Sequence, residues 1–249
     1  MSRKSIAFAV LLVLLAGARA EATPQTDLAA LRQVRAGLQA GTAAADTIDD
    51  VLAMVPKVQQ WVEVPASGSA RQRFDSNHHL TGYTIYYQSG SSTAQPERTA
   101  NLAHELMHAA VNEAHHKDFM NYGNPPDMGK TVPAAVFKQE GSVYFLDDAN
   151  AVARQTAQKN TGAGTVLSDT AVALSKLVAS SGYSTPQKSF LSTKSIYAAS
   201  GANSEYDASL TSMLVMGAQW NLSKTTPFYK KLEEMGKEAH LRRLHNARQ

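Results

Sequence analysis

The chain of 249 residues contains no cysteine. That excludes disulfide bracing and anchoring through a lipidated leader cysteine, so the fold must be held by its core. Roughly 230 residues beyond a leader suffice for one. After residue 16 no apolar run is long enough to span a bilayer. There is no internal repeat and no nucleotide-binding glycine loop. A surplus of one charge sign is also missing once the first residues are set aside. Met1 to Ser5 is positive, Ile6 to Ala16 is apolar, and Ala18-Arg19-Ala20 has the small-x-small form of a secretory cleavage site. Arg3, Lys4 and Arg19 account for the whole net charge of +3, leaving 21 basic against 21 acidic residues. The expectation is an exported protein, periplasmic or secreted, with no nucleic-acid partner and no stable membrane anchor after signal cleavage.

What the chain does have is His104-Glu105-Leu106-Met107-His108. Helical histidines four residues apart lie one turn apart on the same face, so both imidazoles can reach one metal ion. The Glu between them points to the open side of such a site, where it can take a proton from a metal-bound water. The flanks predict a helix over about 96–115. Pro96 suits a first turn, Ser91-Ser92-Thr93 offers capping hydroxyls, and Glu97 complements the helix dipole. Leu102, Leu106, Ala109 and Ala110 form an apolar stripe beside the face of Asn101, His104 and His108. The bland reading is an amphipathic helix with two surface histidines.

Upstream, Thr81 to Gln88 is rich in β-branched and aromatic residues and reads as a strand. Strand, loop and H-E-x-x-H helix in this order resemble the zincin metallopeptidases. In that group an edge strand beside the metal holds extended substrate by backbone pairing, which makes Tyr83 to Tyr87 the candidate. A plain core strand is the other reading. The metzincin subgroup is excluded, because Val111 and Ala114 stand where its pattern needs Gly and His.

A catalytic zinc site needs one more protein ligand. Thr131 to about Gln158 keeps a helical pattern, with Glu140, Tyr144, Asp147 and Asp148 on one face. Gln139 to Tyr144 resembles the Glu-Gly segment of gluzincins. That implies Glu140 as the third ligand, with Asp147 or Asp148 fixing an imidazole tautomer. The other assignment makes Asp147 or Asp148 the ligand. Gln139 and Tyr144 stand where the thermolysin-type signature has Asn and Asp.

The expected fold class is α+β and mostly helical: a zincin-like core with a small β-sheet, the motif helix, and a following helix carrying the third ligand. Residues 1–20 are the expected signal peptide and 21–249 a single domain. Within it, 21–75 is an N-terminal helical part, 76–160 the catalytic core and 161–249 a C-terminal helical part. Apolar spacing marks helices beginning near Asp27 and Asp46, and again over 166–178, 205–220 and 226–248. Pro65 to Arg73 and Ser180 to Lys188 read as turns and loop. His78 and His79, adjacent on an extended segment, point to opposite sides and cannot chelate one ion. His115 lies roughly 10 Å along the axis from His108, too far to share it. The loop of 119–130, with Tyr122, would border a cleft.

The function this predicts is an exported zinc-dependent peptidase. His104, His108 and Glu140 would hold one Zn²⁺, and Glu105 would activate the water that hydrolyses a peptide or protein substrate. The alternatives are a toxin-like effector metallopeptidase with a narrow target and a non-enzymatic exported binding protein.

Overall fold

The computed structural model describes residues 23–65, 68–88, 94–114, 137–146, 162–200 and 203–248. The expected leader, the 119–130 loop with Tyr122, His115, His116, Asp147 and Asp148 lie outside them.

Thr23 opens α1 (Pro24–Ala36) through a reciprocal capping box with Thr26, and Pro24 fills the first turn. The Thr42 hydroxyl accepts the Ala45 N–H to start α2 (Ala43–Met54). Pro56 then sits in a 3₁₀ turn, Val55–Lys57, from which β1 (Val58–Val64) departs.

β2 (Ser69–Phe74) and β3 (Leu80–Gln88) form an antiparallel hairpin. The Asp75 carboxylate closes the connection by accepting the N–H groups of Asn77 and His79. Over 69–73 the turn-rich expectation therefore gives way to a strand. Its alternation is short: Gln72 and Phe74 are buried and Arg73 between them is not. β4 (Phe137–Glu140) and β5 (Val143–Leu146) make a second hairpin. This overturns the helix expected across these residues. Gly141 takes φ +64° in a two-residue turn, and the flanking Phe137, Val143, Tyr144 and Phe145 are strand formers.

The sheet runs β1-β3-β2-β5-β4, with only the β1–β3 pair parallel. β3 is therefore interior, paired on both sides, with Tyr83 and Ile85 fully buried. It is a core strand and offers no edge to a substrate, contrary to the edge-strand expectation. On its other side β2 pairs with β5 only at Phe74, opposite Tyr144, so its earlier residues keep an open edge among the described residues.

The motif helix is α3 (Gln95–Ala114), within a residue of the expected span. It packs under β2 and β3, and the Tyr83 hydroxyl donates to Glu113 at 3.0 Å. The C-terminal part is α4 (Gly162–Ala179), α5 (Thr185–Ser200), α6 (Asn203–Gln219) and α7 (Pro227–Ala247). α5 begins inside the expected 180–188 loop.

α6 is the hub. Ala208, Val215 and Met216 join a core with α1, α2, β3 and α3, while Leu210, Met213 and Leu214 join another with α4, α5 and α7. Every residue from 206 to 217 is buried, so the helix has no solvent face over three turns. Its polar side chains are each answered. Asp207 pairs with Arg242 and Arg243, and Thr211 donates to the Asp207 carbonyl. The fold is thus mostly helical α+β with a small mixed sheet. Among the described residues no helix is long and apolar enough to cross a membrane.

Candidate metal centre

α3 and α6 share the most extensive contact of any two elements among the described residues. Small residues make this possible: Ala100 and Ala103 on α3 meet Ala208, Ser209 and Ser212 on α6, all fully buried. The crossing brings Glu205, in the first turn of α6, to the motif histidines. His104 Nε2 and His108 Nε2 lie 3.2 Å apart. Glu205 Oε1 is 3.5 Å from the first and Glu205 Oε2 is 3.4 Å from the second.

These three separations have a simple meaning. Ligands bonded to a tetrahedral ion at about 2.0–2.1 Å are about 3.3 Å from one another. Three lone-pair donors thus converge at the spacing a divalent ion would set, and they form the one such group among the described residues. His104, His108 and Glu205 can hold a metal ion.

The surroundings fix the donors for that role. Ser212 Oγ donates to the Ala100 carbonyl at 3.3 Å and lies 3.3 Å from His104 Nδ1. With its proton committed to the carbonyl, Ser212 accepts from Nδ1–H, which leaves the Nε2 lone pair facing the site. Ser209 Oγ donates to Glu205 Oε1 at 2.8 Å and orients the carboxylate.

Electrostatics follow from burial and from these contacts. Burial resists a charge on His104 and lowers its pKa to about 4. Burial also opposes the charge on His108, but Glu205 and Glu105 outweigh it and the net shift is upward. For Glu205 burial favours the acid, yet the two imidazoles facing its oxygens at 3.5 and 3.4 Å pull it well below the ordinary carboxylate range. Glu105, 8 % exposed, is pushed up to about 7 mainly by burial.

No family model, curated protein or solved structure matches the chain. The site must be read from its own residues.

Three of the expected site residues, His104, Glu105 and His108, meet here. Glu140 does not. It ends β4 on a hairpin at the far edge of the sheet, its side chain 43 % exposed, and it pairs with Arg71 at 3.2 Å. A strand end that presents its carboxylate to solvent and to a guanidinium is not available to two buried imidazoles. Gln139 to Tyr144 thus lies in a hairpin and not on a ligand-bearing helix, and the carboxylate that meets the two imidazoles is Glu205 of α6. A signal was present: Glu205, Ser209 and Ser212 recur at helical spacing along α6.

The centre opens into a cleft of about 1020 Å³. One wall is the start of β2, where Gly68, Ser69 and Ala70 face α5 across the opening. Gly68 passes directly over Glu105. A Cβ there would lie 2.9 Å from Glu105 Cγ and 2.5 Å from the Tyr86 carbonyl oxygen, so only glycine fits.

Proposed function

We propose that the protein is an exported zinc-dependent peptidase that hydrolyses peptide bonds in the cleft above His104, His108 and Glu205. What carries this reading is the spacing of the three donors, 3.2, 3.4 and 3.5 Å, with a carboxylate next to the first histidine and a cleft over it. Two imidazoles and one carboxylate are one of the donor sets of catalytic zinc sites, and three protein ligands leave a fourth position for water. Zinc, when bound, supplies a water acidified to a pKa near 7 and polarises the scissile carbonyl.

The chain's own residues do the rest. Glu105, on the turn between the two histidines, takes the water's proton and returns it to the leaving amine. Burial brings it near neutrality, where a base is strong enough to accept the proton and weak enough to give it back. Ser209 and Ser212 hold Glu205 and His104 in their binding orientations. The open edge of β2 at Ser69 and Ala70 can pair with an extended peptide, the part first expected of Tyr83 to Tyr87. The secretory pattern of the first 20 residues supports a location outside the cytoplasm, in the periplasm or beyond.

The test is digestion of denatured casein by the purified protein, with and without a chelator. Cleavage that a chelator abolishes and zinc restores supports the reading. A protein that binds zinc at this site but cleaves neither casein nor any protein of a whole-cell lysate refutes it.

A further inference from the structure

Lys194 is the sole lysine or arginine lining the cleft among the described residues. It shares a face of α5 with Phe190 and Tyr197, and its Nζ lies 5.8 Å from the Phe190 ring centroid. Among the described residues its ammonium makes no ion pair and no hydrogen bond. It is nevertheless set among the charges of the centre. Glu205, Glu105 and Glu97 all act on it, and its own charge reaches both imidazoles. Burial lowers its affinity for its proton.

A half-buried cation with no acceptor costs folding energy, so its place in the cleft asks for a purpose. With a divalent ion bound, Lys194 brings the cleft carboxylates of Glu97, Glu105 and Glu205 to formal neutrality. Any further negative charge must come from the substrate. A terminal carboxylate would sit at least one residue, about 3.5 Å, from the reacting carbonyl. Lys194 lines the same cleft as Glu105 and the three donors and is its one cation among the described residues, so charge that develops over the centre has this ammonium to meet.

We propose that Lys194 is a catalytic residue whose ammonium donates a hydrogen bond to the oxyanion formed at the scissile carbonyl. The inference rests on the peptidase reading above. In the step, the water oxygen bonds to the carbonyl carbon, its proton passes to Glu105, and the C=O π pair moves onto the carbonyl oxygen. The Lys194 N–H meets that charge and keeps its proton throughout. The C–N bond then breaks, its electron pair leaves on nitrogen, and nitrogen takes the proton from Glu105. The new carboxyl group loses its remaining proton to solvent.

The test is Lys194→Met in the full chain loaded with zinc, assayed on a fluorogenic peptide that the wild type cleaves, as free acid and as amide. kcat should fall about 100-fold, the size of one lost oxyanion donor. KM, zinc content and thermal stability should hold, since methionine removes a costly charge and shortens the unbranched side chain by only one atom. Lys194→Arg should recover part of the loss. A second readout needs no substrate: inorganic phosphate, followed by the visible spectrum of the cobalt-loaded protein, should bind about tenfold more weakly to Lys194→Met. Unchanged kcat and unchanged phosphate affinity overturn the proposal. So does a rise in KM confined to the free-acid peptide, which would make Lys194 an anchor for a terminal carboxylate. If the wild type takes up metal but cleaves nothing, the peptidase reading fails and the catalytic role of Lys194 falls with it, while weaker phosphate binding in Lys194→Met would still show that its ammonium meets an anion at the metal. A wild type that takes up no metal overturns both.

Discussion

Glu140 and Glu205 carry the same carboxylate into opposite settings. Glu140 stands at the end of a four-residue strand, in reach of Arg71 and of water. Glu205 stands in the first turn of α6, just ahead of its fully buried stretch of 206–217, held by Ser209 and facing two imidazoles. A metal ligand needs a platform that does not move and surroundings that cannot replace the ion with solvent. α6 supplies both, because its remaining length is fixed in two cores. The β4–β5 hairpin supplies neither. A carboxylate becomes a ligand through the element that carries it more than through its immediate neighbours in sequence.

The comparison can be broken in several ways, beginning with the largest effect. Glu105→Gln should cut turnover by about 10²–10⁴-fold, the worth of a positioned general base, while zinc content stays at the wild-type value. A measured loss of zinc instead would make Glu105 a ligand. Gly68→Ala should also lower turnover strongly, because the added methyl group must push Glu105 or the β2 backbone aside. Normal activity in that variant would show that β2 is free to shift. Ser212→Ala should weaken zinc binding by about 10-fold, the usual effect of losing a partner that orients a ligating imidazole. Isothermal titration reads this directly, and an unchanged affinity would remove Ser212 from the account.

A stability measurement sharpens the electrostatic side. Burial raises Glu105 from 4.5 to about 7, so the folded, metal-free protein holds this proton more tightly than the unfolded chain does. The contribution is full below pH 4.5 and is lost as pH rises through about 7. Glu105→Gln should therefore stabilise the metal-free protein at pH 8 by on the order of 2 kcal/mol and leave it little changed at pH 4. Activity should show an acid limb for the same reason, since the base works only when ionised. The smallest effect belongs to Glu140→Gln. Its pair with Arg71 is partly exposed and worth under about 1 kcal/mol, so stability, zinc affinity and turnover should all stay near wild type.

These contrasts also explain what could be read from the residues. The motif helix was legible to within a residue, because the His–His spacing, the apolar stripe and the N-terminal Glu97 are local features. The strand Thr81 to Gln88 was legible for the same reason. Its interior position was not, since pairing partners 20 or more residues away in β1 leave no mark on its own composition. The 137–146 hairpin was mistaken for a helix because Val143, Tyr144 and Leu146 fit either period over so short a stretch, and the deciding Gly141 was read as part of a motif. Glu205 was hidden by its setting. A helix buried all round has no amphipathic pattern, so its ligand looked like one more charge at a helix start, 97 residues beyond His108.

The measurement that bears most directly on the centre is a zinc titration of the wild type beside Glu205→Ala and Glu140→Ala. One ion per chain in the wild type and in Glu140→Ala, with affinity in Glu205→Ala reduced by more than the about 100-fold typical of an orienting partner, is the predicted result. Wild-type affinity in Glu205→Ala, or its loss in Glu140→Ala, would contradict it.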